Sequence, residues 1–97
     1  QLEEIERIVD LLVADLRDRL ADRGLGLEMT DAARTTIARE GFDPVYGARP
    51  LKRHLQREVE TPIARLLVAG DTVEGGTVRL DVVDGTLDVR FEGPPSS

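Results

Sequence analysis

Val78, Leu80 and Val82 alternate with Arg79 and Asp81, and after Asp84-Gly85 the alternation resumes as Leu87, Val89 and Phe91 around Asp88 and Arg90. Successive side chains of a strand point to opposite faces, and an Asp-Gly pair favours the tight type I′ turn. Residues 78–91 therefore predict a β-hairpin with one apolar face. Such a face must be buried against a second layer. The remainder of the chain has to supply helices carrying matching apolar stripes.

Residues 2–23 do so. Leu2, Ile5, Ile8, Val9, Leu12, Val13, Leu16 and Leu20 recur at intervals that place them on one side of a long amphipathic helix, and Gly24 is positioned to end it. Leu25, Leu27 and Met29 then alternate with Gly26 and Glu28, as in a short strand. Thr30 is an expected N-cap for a second helix over about residues 31–40. Asp31 suits its positive end, and Gly41 is expected to stop it in the left-handed conformation. After an Asp43-Pro44 turn, Pro50 restarts the helix. Leu51, Leu55, Val59, Ile63 and Leu66 or Leu67 keep the helical period to Ala69, with a kink or break expected at Pro62 and a stop at Gly70.

The order predicts an α+β fold of about three to four helices packed on a small three-stranded sheet, the first short strand pairing with the hairpin. One domain is expected over residues 1–92, with a flexible tail over 93–97. The chain starts at Gln1, already within a helical pattern, as expected of a piece of a longer protein.

With 97 residues and 40% hydrophobic content the chain can build one core. Its aromatic residues are Phe42, Tyr46 and Phe91, so the core must be aliphatic, and Phe42 and Tyr46 are expected to pin the 42–50 turn to it. Absence of cysteine excludes disulfides and thiolate zinc sites. A single histidine, His54, read as a helix-surface residue, excludes multi-histidine metal ligation. No apolar run approaches the ~20 residues that span a bilayer. A net charge of −6 argues against nucleic acid or anionic lipid as partners.

Against this acidic balance, Arg49, Lys52, Arg53 and Arg57 cluster with no acid between them. The first turn of a helix already carries partial positive charge. Stacking cations there is unfavourable by a few tenths to about 1 kcal/mol each unless an anion lies opposite. The pattern implies an anionic partner from outside the cluster.

The stretch GFDPVYGARPLKRHLQREVETPIARLLVAG, preceded by LEMTDAAR and the first helix, resembles the small C-terminal subdomain of the second AAA+ module of ClpB-type protein disaggregases. The related ClpA and ClpC unfoldases share nearly all of it. The resemblance covers essentially the whole chain. It implies a hexameric ATPase in which a large subdomain carries the nucleotide-binding motifs and this subdomain closes over ATP as a lid. In that family the arginine of Gly-Ala-Arg, here Arg49, is the sensor 2 residue that reaches the phosphates. Ala48 and an aliphatic residue of the first helix, here Ile8, are implied to flank the adenine.

The resemblance further implies a cytoplasmic location and three kinds of partner: the large subdomain of the same chain, neighbouring subunits of a homohexamer, and unfolded or aggregated protein substrates. Magnesium would be held by the large subdomain. The present sequence has no GxxxxGK(S/T) phosphate loop, so by itself it is not expected to hydrolyse ATP. Two alternatives stand beside this reading. One is a lid of a ClpA/ClpC-type unfoldase feeding a peptidase; the other is an interaction module that binds acidic partners through residues 49–57.

Overall fold

The computed structural model describes residues 2–94. In chain order these form α1 (Leu2–Ala21), β1 (Gly26–Met29), α2 (Asp31–Gly41), α3 (Leu51–Leu55), a π-helical turn (Gln56–Glu60), α4 (Thr61–Ala69), β2 (Thr77–Val83) and β3 (Thr86–Glu92). The strands form one mixed sheet in the order β1-β2-β3, with β1 parallel to β2 and β2 antiparallel to β3. The expected α+β architecture is present. Of the expected tail, Gly93 and Pro94 are exposed and without regular structure, and residues 95–97 lie outside the described residues.

Hairpin register places Val78 opposite Phe91, Leu80 opposite Val89 and Val82 opposite Leu87, so all six apolar side chains share one face. Val78 and Leu80 are completely buried, and the other four pack against the same core at its edge. Asp84 and Gly85 both have positive φ, as a type I′ turn requires. On the outer face Arg79 lies opposite Arg90, and Asp81 opposite Asp88. Charge is instead neutralised along and beyond the pair: Arg90 Nε is 2.8 Å from Asp88 Oδ2, and Arg79 reaches Glu28 of β1 at 3.3 Å.

Helix α1 buries Ile5, Val9, Val13, Leu16 and Leu20. Its apolar stripe is narrower than its sequence indicates, because Leu2 and Ile8 sit at the exposed margin. Ala33, Ile37 and Ala38 of α2 close the core from the other side.

In the third helical stretch, Leu51, Leu55, Val59 and Ile63 are all buried at a constant spacing of four residues. In a regular α-helix of 3.6 residues per turn, that spacing drifts by about 40° per step. The wider π turn takes up the drift and keeps Val59 and Ile63 on the core side. It also accommodates Pro62, which has no N–H and would otherwise crowd the carbonyl of Glu58. The Thr61 hydroxyl donates to the Gln56 carbonyl at 3.0 Å, inside the altered turn. The break anticipated at Pro62 thus takes the form of a π turn immediately before it.

Gly41 does not play the role expected of it. It is the last residue of α2, its φ is not positive, and the chain leaves through an extended Phe42. Gly41 is buried, and a Cβ there would run into the Leu51 side chain. Close packing of α2 on α3, not left-handed geometry, selects glycine at this position.

Thr30 caps α2 as expected: its Oγ1 accepts from the Ala33 N–H and donates to Asp81 Oδ1, each at 3.1 Å. The Val82 N–H and then the Thr30 hydroxyl hold the Asp81 carboxyl below the usual carboxylate range. The stabilisation carried by that depressed group is fully present above the ordinary Asp range and is lost as pH falls through the lowered value. Thr30→Ala should cost about 1 kcal/mol through the cap and lower the urea midpoint at neutral pH, while Thr30→Ser retains most of the parent's stability. An unchanged midpoint for Thr30→Ala would show that the cap carries no net stability.

Candidate functional site

The segment between α2 and α3 is fastened at both ends. Asp43 and Gly47 exchange backbone hydrogen bonds, the Asp43 N–H donating to the Gly47 carbonyl at 2.8 Å and the Gly47 N–H to the Asp43 carbonyl at 2.6 Å. Inside this loop Asp43 Oδ1 accepts the Val45 N–H at 2.7 Å and the Tyr46 N–H at 3.0 Å, an Asx turn made possible by the short carboxylate side chain. Gly47, at φ +68°, supplies the left-handed step that reverses the chain. The Leu51 N–H then bonds to the Ala48 carbonyl at 3.0 Å, and the His54 N–H bonds to the Pro50 carbonyl at 2.9 Å.

These bonds set Arg49 in a specific position. Ala48 before it packs against the core, and Leu51 after it is buried. The Arg49 backbone is held from both sides while its side chain is exposed. Tyr46, Arg49, Pro50 and Arg53 line one surface hollow of ≈ 240 Å³. Among the described residues, the side chains of Arg49, Lys52 and Arg53 have no hydrogen-bond acceptor or carboxylate partner. Arg57 differs, with Nε 3.7 Å from Glu58 Oε1. The cluster therefore reduces to three unpaired cations, two of which share the hollow.

Phe42 and Tyr46 do not pin the turn. They are 42% and 64% exposed, with Val45 more exposed still. Backbone bonds and the Asp43 carboxylate hold the turn, which frees its large side chains to project outward. Phe42 also lines a second hollow of ≈ 340 Å³ with Leu2, Ile5 and Arg39. Ile8, the other residue implied to face adenine, lies on α1 with 36% exposure and lines neither hollow. The structure thus joins Arg49 to Ala48 through the chain but does not bring Ile8 to the same hollow.

His54 is also not a surface residue. It is buried, with Nε2 3.4 Å from Glu40 Oε1 at the end of α2 and without a well-formed hydrogen bond. Its position three residues after Leu51 and one before Leu55 is the signal that could have identified it as inward-facing. Among the described residues, no three or more His, Asp or Glu side chains converge as ligands for a metal ion, and no helix is long and apolar enough to cross a membrane.

Residues 1–80, which include the entire turn and both flanking helices, match the family model described as the C-terminal, D2-small domain, of ClpB protein. The chain belongs to the ClpB D2-small family. It is 53% identical over 89 residues to the chaperone protein ClpB of Nitratidesulfovibrio vulgaris, an alignment covering 92% of this chain and 10% of that protein. Against chaperone protein ClpB 1 of Parasynechococcus marenigrum it is 54% identical over 87 residues, covering 90% of this chain and 10% of the relative. The ClpB of Aquifex aeolicus is 44% identical over 84 residues, or 87% of this chain and 8% of its own length. This ClpB D2-small chain spans about a tenth of the length of these relatives.

Proposed function

We infer that this domain is the nucleotide-sensing lid of an ATP-dependent, ring-forming ClpB disaggregase, with Arg49 as its sensor 2 residue. One observation carries the reading. In a chain of net charge −6, Arg49 combines a backbone anchored on both sides with an exposed guanidinium that has no partner among the described residues. A planar guanidinium fork suits phosphate oxygens, and an unpaired one can take them without breaking an existing ion pair. ATP fits the chemistry of this hollow through its phosphates, with magnesium held by the large subdomain of the same polypeptide.

The apolar side chains Leu2, Phe42, Val45 and Tyr46 support docking against that large subdomain, since their exposure leaves apolar surface near the anchored turn. Ala48 and Ile8 are assigned to the adenine side, and the neighbouring partners are the other subunits of a cytoplasmic homohexamer acting on unfolded or aggregated proteins. Within this frame the lid moves as a unit. The turn is closed by its own Asp43–Gly47 bonds and bonded to α3, so a change at Arg49 is transmitted to the core instead of being absorbed by the loop. Agreement with ClpB, at about half identity across most of the chain, favours this reading over a peptidase-coupled unfoldase.

Two measurements test it. The purified chain by itself should show no magnesium-dependent ATP turnover, because it supplies one sensor arginine and part of an adenine wall. In the full-length protein, an azido-adenine nucleotide should photolabel peptides containing Ala48 or Ile8. Robust turnover by the chain alone, or labelling confined to other segments of this domain, would overturn the lid assignment.

A further inference from the structure

Arg53 stands one helical turn beyond Arg49 and lines the same hollow. Both side chains are exposed, and neither has an acceptor among the described residues. Two like charges held one turn apart on a rigid helical start repel each other, and the arrangement is relieved when one anion lies between them.

The carboxylates near enough in sequence to neutralise them are engaged elsewhere. Asp43 Oδ1 accepts two backbone N–H groups inside its own loop. Glu40 faces His54 from the end of α2, and Glu58 lies beside Arg57. Lys52, which neighbours Arg53 in sequence, does not line the hollow. Pro50, between the two arginines, limits how far the helix start can relax. Tyr46, itself exposed, lines the hollow with them.

We propose that Arg53 is a second phosphate-binding residue, gripping the polyphosphate of the nucleotide jointly with Arg49 in the hollow closed by Tyr46 and Pro50. This rests on the sensor reading of Arg49. A polyphosphate suits two guanidinium forks lining one hollow, because adjacent phosphate groups can each accept from one guanidinium. A single carboxylate can bridge two guanidiniums but offers them two oxygens and one charge, whereas a polyphosphate offers several of each.

The test uses the full-length protein with the phosphate-loop lysine of the other AAA+ module replaced, so that only the site covered by this domain is titrated. Fluorescent ADP and ATP are bound to the parent, Arg49→Ala, Arg53→Ala, Arg53→Lys and Lys52→Ala proteins. Arg53→Ala should weaken both nucleotides by about fivefold or more, Arg53→Lys should recover little of that loss because an ammonium lacks the planar fork, and Lys52→Ala should change affinity by less than about twofold. Fluorescent AMP, which lacks the polyphosphate, should bind the parent and Arg53→Ala equally. If Arg53→Ala matches Lys52→Ala while Arg49→Ala is impaired, the second phosphate contact is wrong and the sensor reading stands. If neither arginine variant is impaired, both fail. Equal nucleotide affinity with a concentration-dependent loss of the ring in Arg53→Ala would also overturn the proposal and reassign Arg53 to subunit packing.

Discussion

Leu80→Asp is expected to abolish cooperative thermal unfolding of the domain. Leu80 is completely buried in the central strand, with β1 on one side and β3 on the other. Truncation alone, as in Leu80→Ala, should cost about 2–5 kcal/mol through lost burial and the cavity left behind. A carboxylate at the same place adds the desolvation of a charge with no partner, worth several kcal/mol more. Together these are comparable with the whole ~5–15 kcal/mol by which such domains are stable. Circular dichroism should show loss of the melting transition for Leu80→Asp and a lowered but cooperative transition for Leu80→Ala. A Leu80→Asp protein that melts within a degree or two of the parent would mean that the hairpin presents its other face to the helices.

The second large effect is on function and leaves the fold intact. On the proposed sensor reading, Arg49→Ala in the full-length protein should reduce ATP turnover and protein remodelling at least about tenfold, equivalent to about 1.4 kcal/mol of lost transition-state stabilisation. A guanidinium aimed at phosphate in a site that excludes water can contribute that much, since the protein dipoles and charges there need not reorganise as charge moves. The isolated domain should lose less than about 1 kcal/mol of stability, because the Arg49 side chain is exposed and has no ion pair among the described residues to break. Arg49→Lys should recover little, as an ammonium lacks the planar fork, and Lys52→Ala should be milder than either. A folded Arg49→Ala ring with parental turnover and disaggregation would remove the sensor assignment and leave the cluster to subunit packing.

Features encoded locally could be read from the sequence. The hairpin follows from period-two alternation around Asp84-Gly85, and both turn residues have the backbone geometry which that pair favours. Thr30 caps α2 because its hydroxyl needs only the N–H three residues ahead. The buried set Leu51, Leu55, Val59 and Ile63 was visible as a spacing, and Arg49 as a cation among cations in an acidic chain. Each of these depends on residues within a turn or two of one another.

What the tertiary structure decided involves partners distant in sequence or outside local geometry. Gly41 is required by the approach of Leu51, a contact that exists only once α2 and α3 have packed. His54 is buried because α3 turns that side toward the end of α2, where Glu40 lies beside it. Phe42 and Tyr46 point outward because Asp43 already satisfies the turn, removing any need for aromatic anchors. Conversion of one turn to π geometry reflects a contest between a spacing of four, Pro62 and the position of the core. Periodicity specifies which face of each element is apolar, and thereby the α+β fold. Which side chains meet across elements, and hence that Ile8 of α1 does not line the hollow of Arg49, follows only from how those faces pack.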